Sequence, residues 1–217
     1  MYVARSCVHP LKSAGVIGCG KHFPGLGEAH LDTHHDLPDV NKPWKQLWEE
    51  DLQPFRMMRR DFPMLLVGHA CYPAVTRDRT PSSLSKKFVT DILRNKIGYR
   101  GLVLSDDLEM GGVLAAAPIE QAAAQFIAAG GDLALICHKE EFILRAFEFM
   151  ARETEKSRAF ARRVEESASR VQAFKRKCKE LRPRNSAPSA QKLQKLSRTL
   201  WEFSEQVRIL GFARENA

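Results

Sequence analysis

The chain is poor in the features that would assign it to several large classes. No run of 18 uncharged apolar residues occurs anywhere in its 217 residues, which argues against a membrane-spanning helix. The opening MYVARSCVHPLKS lacks the long apolar centre of a signal peptide, so the expectation is a soluble, cytoplasmic protein. Its five cysteines (Cys7, Cys19, Cys71, Cys137 and Cys178) are odd in number, widely separated and never in a CxxC pair, so neither a disulfide framework nor a zinc knuckle is indicated. There is no GxxxxGK[ST], no GxSxG and no GxGxxG after a strand, which sets aside phosphate cradles, nucleophile elbows and dinucleotide folds.

What is present is ordinary globular material, 44% hydrophobic and 28% charged, enough for one substantial core. The net charge of +8 is unevenly placed. Residues 151–217 hold 17 Lys and Arg against 8 Asp and Glu, so the basicity belongs to the tail alone. A solvated helical face accounts for such a tail, and neither nucleic acid nor membrane is expected as a partner.

Apolar runs of strand length stand at Gly15 to Cys19, Met64 to Val67, Gly101 to Leu104 and Leu133 to Cys137, with helical patterns between them. Leu84, Phe88, Val89, Ile92, Leu93 and Ile97 keep helical spacing after Thr80 as N-cap and Pro81 at the first helical position. Ile119, Ala122, Ala123, Phe126 and Ile127 mark the next helix, which stops at Gly130-Gly131. This alternation predicts an α/β fold with parallel strands and crossover helices. An α/β barrel and a doubly wound sheet both fit. Polar motifs at the carboxyl ends of three runs, KHFPG, GHACYP and SDDLEM, favour a (β/α)8 barrel, of which four of the eight units are seen. After residue 150, Ser157 to Cys178 reads as a helix striped by Phe160, Val164, Ala168, Val171 and Phe174. The expected organisation is a half-barrel domain over residues 1–180, a linker over 181–190, and a basic amphipathic helix over 191–217 with Leu193, Leu196, Leu200, Phe203, Val207 and Leu210 as its seam. That seam packs on the parent domain or makes a dimer contact.

Two segments carry the chemistry. Lys21-His22-Phe23-Pro24-Gly25-Leu26-Gly27 is a glycine-rich turn followed at once by Asp32-Thr33-His34, which sets a carboxylate and an imidazole beside it. Histidine, with an unperturbed pKa of about 6.5, can give and take a proton at neutral pH. Asp32 can hold its ring nitrogen. The second segment, GLVLSDDLEM (residues 101–110), ends an apolar run in Asp106 and Asp107. Taken alone, SDD could equally cap the following helix. His30, His34 and His35 with Asp32 and Asp36 could in principle ligate a metal, but their spacing matches no known helical or knuckle pattern, so no metal is expected.

The two segments together, within about residues 10–140, resemble the glycoside hydrolase family 3 β-N-acetylglucosaminidases. The resemblance implies strands five to eight of a TIM barrel, with strands one to four absent from this sequence. It implies a retaining hydrolase of terminal β-linked N-acetylglucosamine in peptidoglycan fragments, without cofactor. Asp106 becomes the nucleophile, His34 the acid/base oriented by Asp32, and Lys21 and His22 the binders of the sugar, with His69 in GHACYP lining the pocket or buried and hydrogen-bonded. Leu26 stands where many members carry histidine, and the aspartate and arginines that members use on the early strands have no counterparts here. The half-barrel could self-associate or pair with a separate N-terminal half. A β-N-acetylglucosaminide phosphorylase, or a non-catalytic remnant acting as an interaction module, is the alternative expectation.

Overall fold

The computed structural model describes residues 8, 10–27, 37–178 and 187–215. Two compact units result, Met1–Glu180 and Leu181–Ala217. The first holds one sheet of four parallel strands in the order β1 (Cys19–Phe23), β2 (Met64–Val67), β3 (Leu102–Asp107), β4 (Leu133–Leu135). The α/β class expected from the alternating pattern is therefore observed. Sequential parallel neighbours require crossovers. These include α1 (Trp44–Glu49) and α2 (Gln53–Met57) after β1, then α3 (Pro73–Thr76) and a wide π-helix (Lys87–Lys96) after β2. Helices α4 (Gly111–Leu114) and α5 (Ile119–Ala129) follow β3, and α6 (Glu140–Lys156) and α7 (Arg158–Lys177) follow β4.

Burial differs between the two faces of this sheet. Leu65, Val67 and Val103 are fully buried under the helices, whereas Leu66, Leu104 and Leu133, paired across three strands, stay half-buried. Aligned partners in a parallel ladder share a face, so these three leucines form one apolar stripe that the unit leaves partly uncovered. Phe23, Phe55, Tyr72, Phe88 and Phe126 anchor the covered side.

The first strand departs from expectation. Gly15 to Val16 closes a helical turn, with the Val16 N–H donating to the Leu11 carbonyl at 2.8 Å, and pairing begins only at Cys19. The cause is Gly20: a Cβ there would lie 2.6 Å from Leu65 Cδ2 and 3.1 Å from the Phe62 ring. Only the bare backbone lets β1 close on β2. The helix expected from Thr80 and Pro81 also starts later, since Ser82–Leu84 makes a separate 3-10 turn, and the π-helix follows with the Ile97 N–H reaching the Ile92 carbonyl five residues back.

Helix α5 stops where Gly130 takes φ 116, and α7 starts at the Ser157 cap, whose hydroxyl accepts from the Phe160 N–H. Along α7, Phe160 and Val164 pack on the core while Ala168 is exposed. The 17-residue helix α6 was not anticipated. Its Phe142, Ala146 and Met150 pack on the core, whereas Ile143, Leu144 and Phe147 are 48%, 55% and 68% exposed, so apolar residues stand on both its packed and its solvated sides. In the second unit, α8 (Ala190–Glu215) carries Leu193, Leu196, Leu200, Phe203 and Val207 exposed. Most of the linker expected at 181–190 lies outside the described residues. Among the described residues, no helix is long and apolar enough to cross a membrane.

Candidate active site

Both chemistry-bearing strands contain an extra residue. Between Gly20↔Leu65 and Phe23↔Val67, β1 advances three residues while β2 advances two; between Leu104↔Leu133 and Asp107↔Leu135, β3 does the same against β4. Such bulges redirect side chains at the ends of strands. Here one falls on Lys21-His22 and the other on Ser105-Asp106. The Ser105 hydroxyl accepts the Leu135 N–H at 2.9 Å and so holds the second bulge together.

The bulges bring His22 and Asp106 together across β2. His22 Nε2 lies 3.6 Å from Asp106 Oδ2, with side chains 33% and 23% exposed. The crossing is possible because β2 is followed by Gly68, where a Cβ would stand 3.2 Å from His22 Cβ. Burial is the largest influence on the His22 imidazole and lowers its pKa; the Asp106 carboxylate opposes it and Lys21 adds to it. His22 is thus neutral at pH 7. Asp106 Oδ1 accepts the Asp107 N–H at 3.0 Å, which leaves Oδ2 facing the His22 ring. Lys21 is exposed on the same strand.

The glycine turn after β1 is fixed from beneath. Gly25 has φ 121, and a Cβ there would meet Asp51 Cβ at 2.6 Å, so the position accepts glycine alone. The buried Tyr72 hydroxyl donates to the Gly25 carbonyl, and Asp51 is itself held by the buried Lys42 ammonium at 2.6 Å.

His69 is buried and hydrogen-bonded, one of the two roles considered for it. Its Nε2 is 3.0 Å from the Asp107 carbonyl and Nδ1 is 2.8 Å from the Ser83 hydroxyl. Nε2 must donate to that carbonyl, so Nδ1 accepts from Ser83. Burial lowers its pKa and keeps the ring neutral. Asp107 takes a supporting position: Oδ1 accepts the Glu109 N–H at 3.1 Å and Oδ2 lies 3.1 Å from His138 Nδ1.

Glu109 and His138 were not singled out in the sequence, although Glu109 lies in the quoted SDDLEM segment and His138 follows the fourth strand. Glu109 Oε1 accepts the N–H groups of His138 (2.6 Å) and Lys139 (3.1 Å), tying β3 to the approach to α6. Ligand atoms of Asp107, Glu109 and His138 lie within 4.8 Å of one another, close enough for a divalent cation, but the Asp107–His138 contact is also an ordinary hydrogen-bond distance. Asp32 and His34 lie outside the described residues, as do His30, His35 and Asp36.

A parallel α/β unit with a carboxylate and an imidazole converging at the carboxyl edge of its sheet defines a class of enzyme-like sites. The sequence matches the model of the glycosyl hydrolase family 3 N terminal domain over residues 1–174, and the chain belongs to that family. It is 37% identical over 140 residues to a beta-hexosaminidase of Chromobacterium violaceum, covering 64% of this chain and 39% of that protein. It is 33% identical over 197 residues to a beta-hexosaminidase of Bordetella parapertussis, covering 90% and 51%. Among solved structures, a glycoside hydrolase family 3 beta-N-acetylglucosaminidase from Paenibacillus sp. str. FPU-7 superposes with TM-score 0.79 at 31% identity, over 84% of this chain and 35% of that one. The chain therefore spans about half, or less, of the length of these relatives.

Proposed function

We propose that this chain supplies the nucleophile-bearing half of a retaining glycoside hydrolase acting on terminal β-linked N-acetylglucosamine, with peptidoglycan fragments as substrate. The observation that carries the reading is the placement of Asp106 at a bulge on the carboxyl end of β3, partly exposed and faced by His22. The family membership and the beta-hexosaminidase relatives supply the class of substrate.

In the first displacement an Asp106 oxygen attacks the anomeric carbon, and the glycosidic C–O bond breaks as His34 gives its proton to the leaving oxygen. In the second, His34 takes a proton from water, whose oxygen attacks the anomeric carbon and releases the Asp106 carboxylate. Asp32 orients His34. Lys21 and His22 hold the sugar hydroxyls, His22 as a neutral ring. Asp107, Glu109 and His138 keep the end of β3 in place.

The reading assigns residues 1–180 to strands five to eight of a (β/α)8 barrel, 181–190 to a linker and 191–217 to an amphipathic helix. Pairing with strands one to four is supported by three features. The Leu66, Leu104 and Leu133 stripe is half-exposed; β1 and β4 end the sheet with one edge each unpaired among the described residues; and a groove of about 590 Å³ beside β4 is lined by Leu133, Ala134, Phe147, Met150 and Val164.

The test is hydrolysis of an aryl β-N-acetylglucosaminide by the purified chain, alone and mixed with a polypeptide carrying strands one to four of a relative. Activity in the mixture that disappears in Asp106→Ala and His34→Ala supports the assignment. A folded, associated complex without turnover argues instead for an interaction module, and product carrying phosphate rather than hydroxyl at the anomeric carbon argues for a phosphorylase.

A further inference from the structure

We propose that the outer wall of the first unit carries a second binding site, for a small multivalent anion of the phosphate class, in the groove between the π-helix Lys87–Lys96 and α7. The groove has a volume of about 680 Å³, within the range of sites for small metabolites, and shares no residue with the carboxyl-edge site. The inference is independent of the glycosidase reading.

Five cationic side chains line it: Lys86, Arg94, Arg100, Arg163 and Arg170. Two carboxylates oppose them. Asp132, fully buried behind the groove, binds Arg94 at 2.5 Å and Arg170 at 3.0 Å, and the more exposed Glu166 binds Arg163 at 2.7 Å. Lys86 and Arg100 are exposed, and no carboxylate among the described residues pairs with either. The Arg100 guanidinium is nonetheless held in place, donating to the Arg94 carbonyl at 2.9 Å.

Two further features shape the groove. Arg94, 8% exposed, is fixed at its back by hydrogen bonds to the Gly101 carbonyl and Asp132. In addition, the first turn of the 20-residue helix α7 opens onto the groove through Ser157, Ala159 and Phe160, which presents the positive end of the helix dipole to it. A surplus of fixed positive charge and a helix N-terminus within one cavity fit a compact polyanion. A long nucleic acid would need the cations spread along a stripe.

The test is isothermal titration and thermal unfolding of the 217-residue chain with inorganic pyrophosphate, in buffers matched in ionic strength with NaCl. Inorganic phosphate and glucose 6-phosphate run in parallel distinguish an inorganic from an organic ligand. Saturable one-to-one binding is expected, with a Tm rise of about 5 °C at a hundredfold excess over Kd. Lys86→Gln/Arg100→Gln should weaken it at least about tenfold, Lys86→Arg/Arg100→Lys should keep it, and Glu166→Gln should tighten it severalfold. No saturable heat with any of the three probes, a Tm rise reproduced by NaCl alone, or unchanged affinity in both the double glutamine variant and Glu166→Gln overturns the proposal. Circular dichroism establishes that each variant is folded.

Discussion

Asp132→Ala should be among the most damaging single changes in the first unit. The carboxylate has no solvent exposure and accepts from Arg94 at 2.5 Å, from Arg170 at 3.0 Å and from the Val103 N–H at 3.0 Å, with Arg163 at 3.7 Å. It therefore joins β3, the π-helix and α7 at one point. Truncation leaves a buried guanidinium and a buried backbone donor without their acceptor. Breaking a buried pair from one side costs about 3–5 kcal/mol, a large share of a total stability of about 5–15 kcal/mol. With a urea slope of about 2 kcal/mol per molar, the unfolding midpoint should fall by about 2 M. Arg170→Gln is the control, since that side chain is 40% exposed and its loss should cost less than about 1 kcal/mol. Paired urea titrations followed by far-ultraviolet circular dichroism give both numbers. A midpoint shift below about 0.5 M for Asp132→Ala, or equal shifts for the two variants, would refute the argument that burial makes this carboxylate structural.

Gly68→Ala forces a methyl group to within 3.2 Å of His22 Cβ, so hydrolysis by the assembled enzyme should drop at least about tenfold, by misplacing the His22 ring, while the unfolding midpoint moves little. Tyr72→Phe removes the hydroxyl that holds the Gly25 carbonyl and should cost about 1 kcal/mol in urea unfolding. His22 and His69 both have pKa values lowered by burial, so the folded state binds fewer protons than the unfolded one below pH 6.5. Stability is then full above the unfolded pKa of about 6.5 and is lost as pH falls from there through the folded values. Midpoints measured from pH 7.5 to 5 should decline, and His69→Gln should flatten the decline; a slope unchanged in that variant removes His69 from the explanation.

The strand cores were readable because MLLV, GLVL and LALIC are apolar runs each followed by a glycine or polar residue, and β2 matches its run residue for residue while β4 keeps only Leu133–Leu135. The position of β1 was not, because its start depends on Gly20 fitting against Leu65 and Phe62, partners more than forty residues away. Helix α6 escaped for a different reason: Phe142, Ala146 and Met150 pack on the core, but the exposed Ile143, Leu144 and Phe147 beside them blur the stripe in the sequence. In the site, SDD and KH announced themselves as motifs, but the meeting of His22 with Asp106 did not. That meeting rests on two bulges and on a glycine at the end of an intervening strand, and none of these leaves a local signature.

The bulge in β3 also makes the identity of the outstanding carboxylate a matter of counting. In regular pairing successive residues of a strand point to opposite faces, so the orientation of Asp106 is set by the one surplus residue accommodated between Leu104 and Asp107. Removing Ser105 would restore even pairing with β4, with Asp107 still opposite Leu135 but Asp106 no longer on the bulge that turns it towards His22. Two adjacent, chemically identical side chains are thus told apart by one surplus residue, and the serine hydroxyl bonded to the Leu135 N–H is what holds that residue in place.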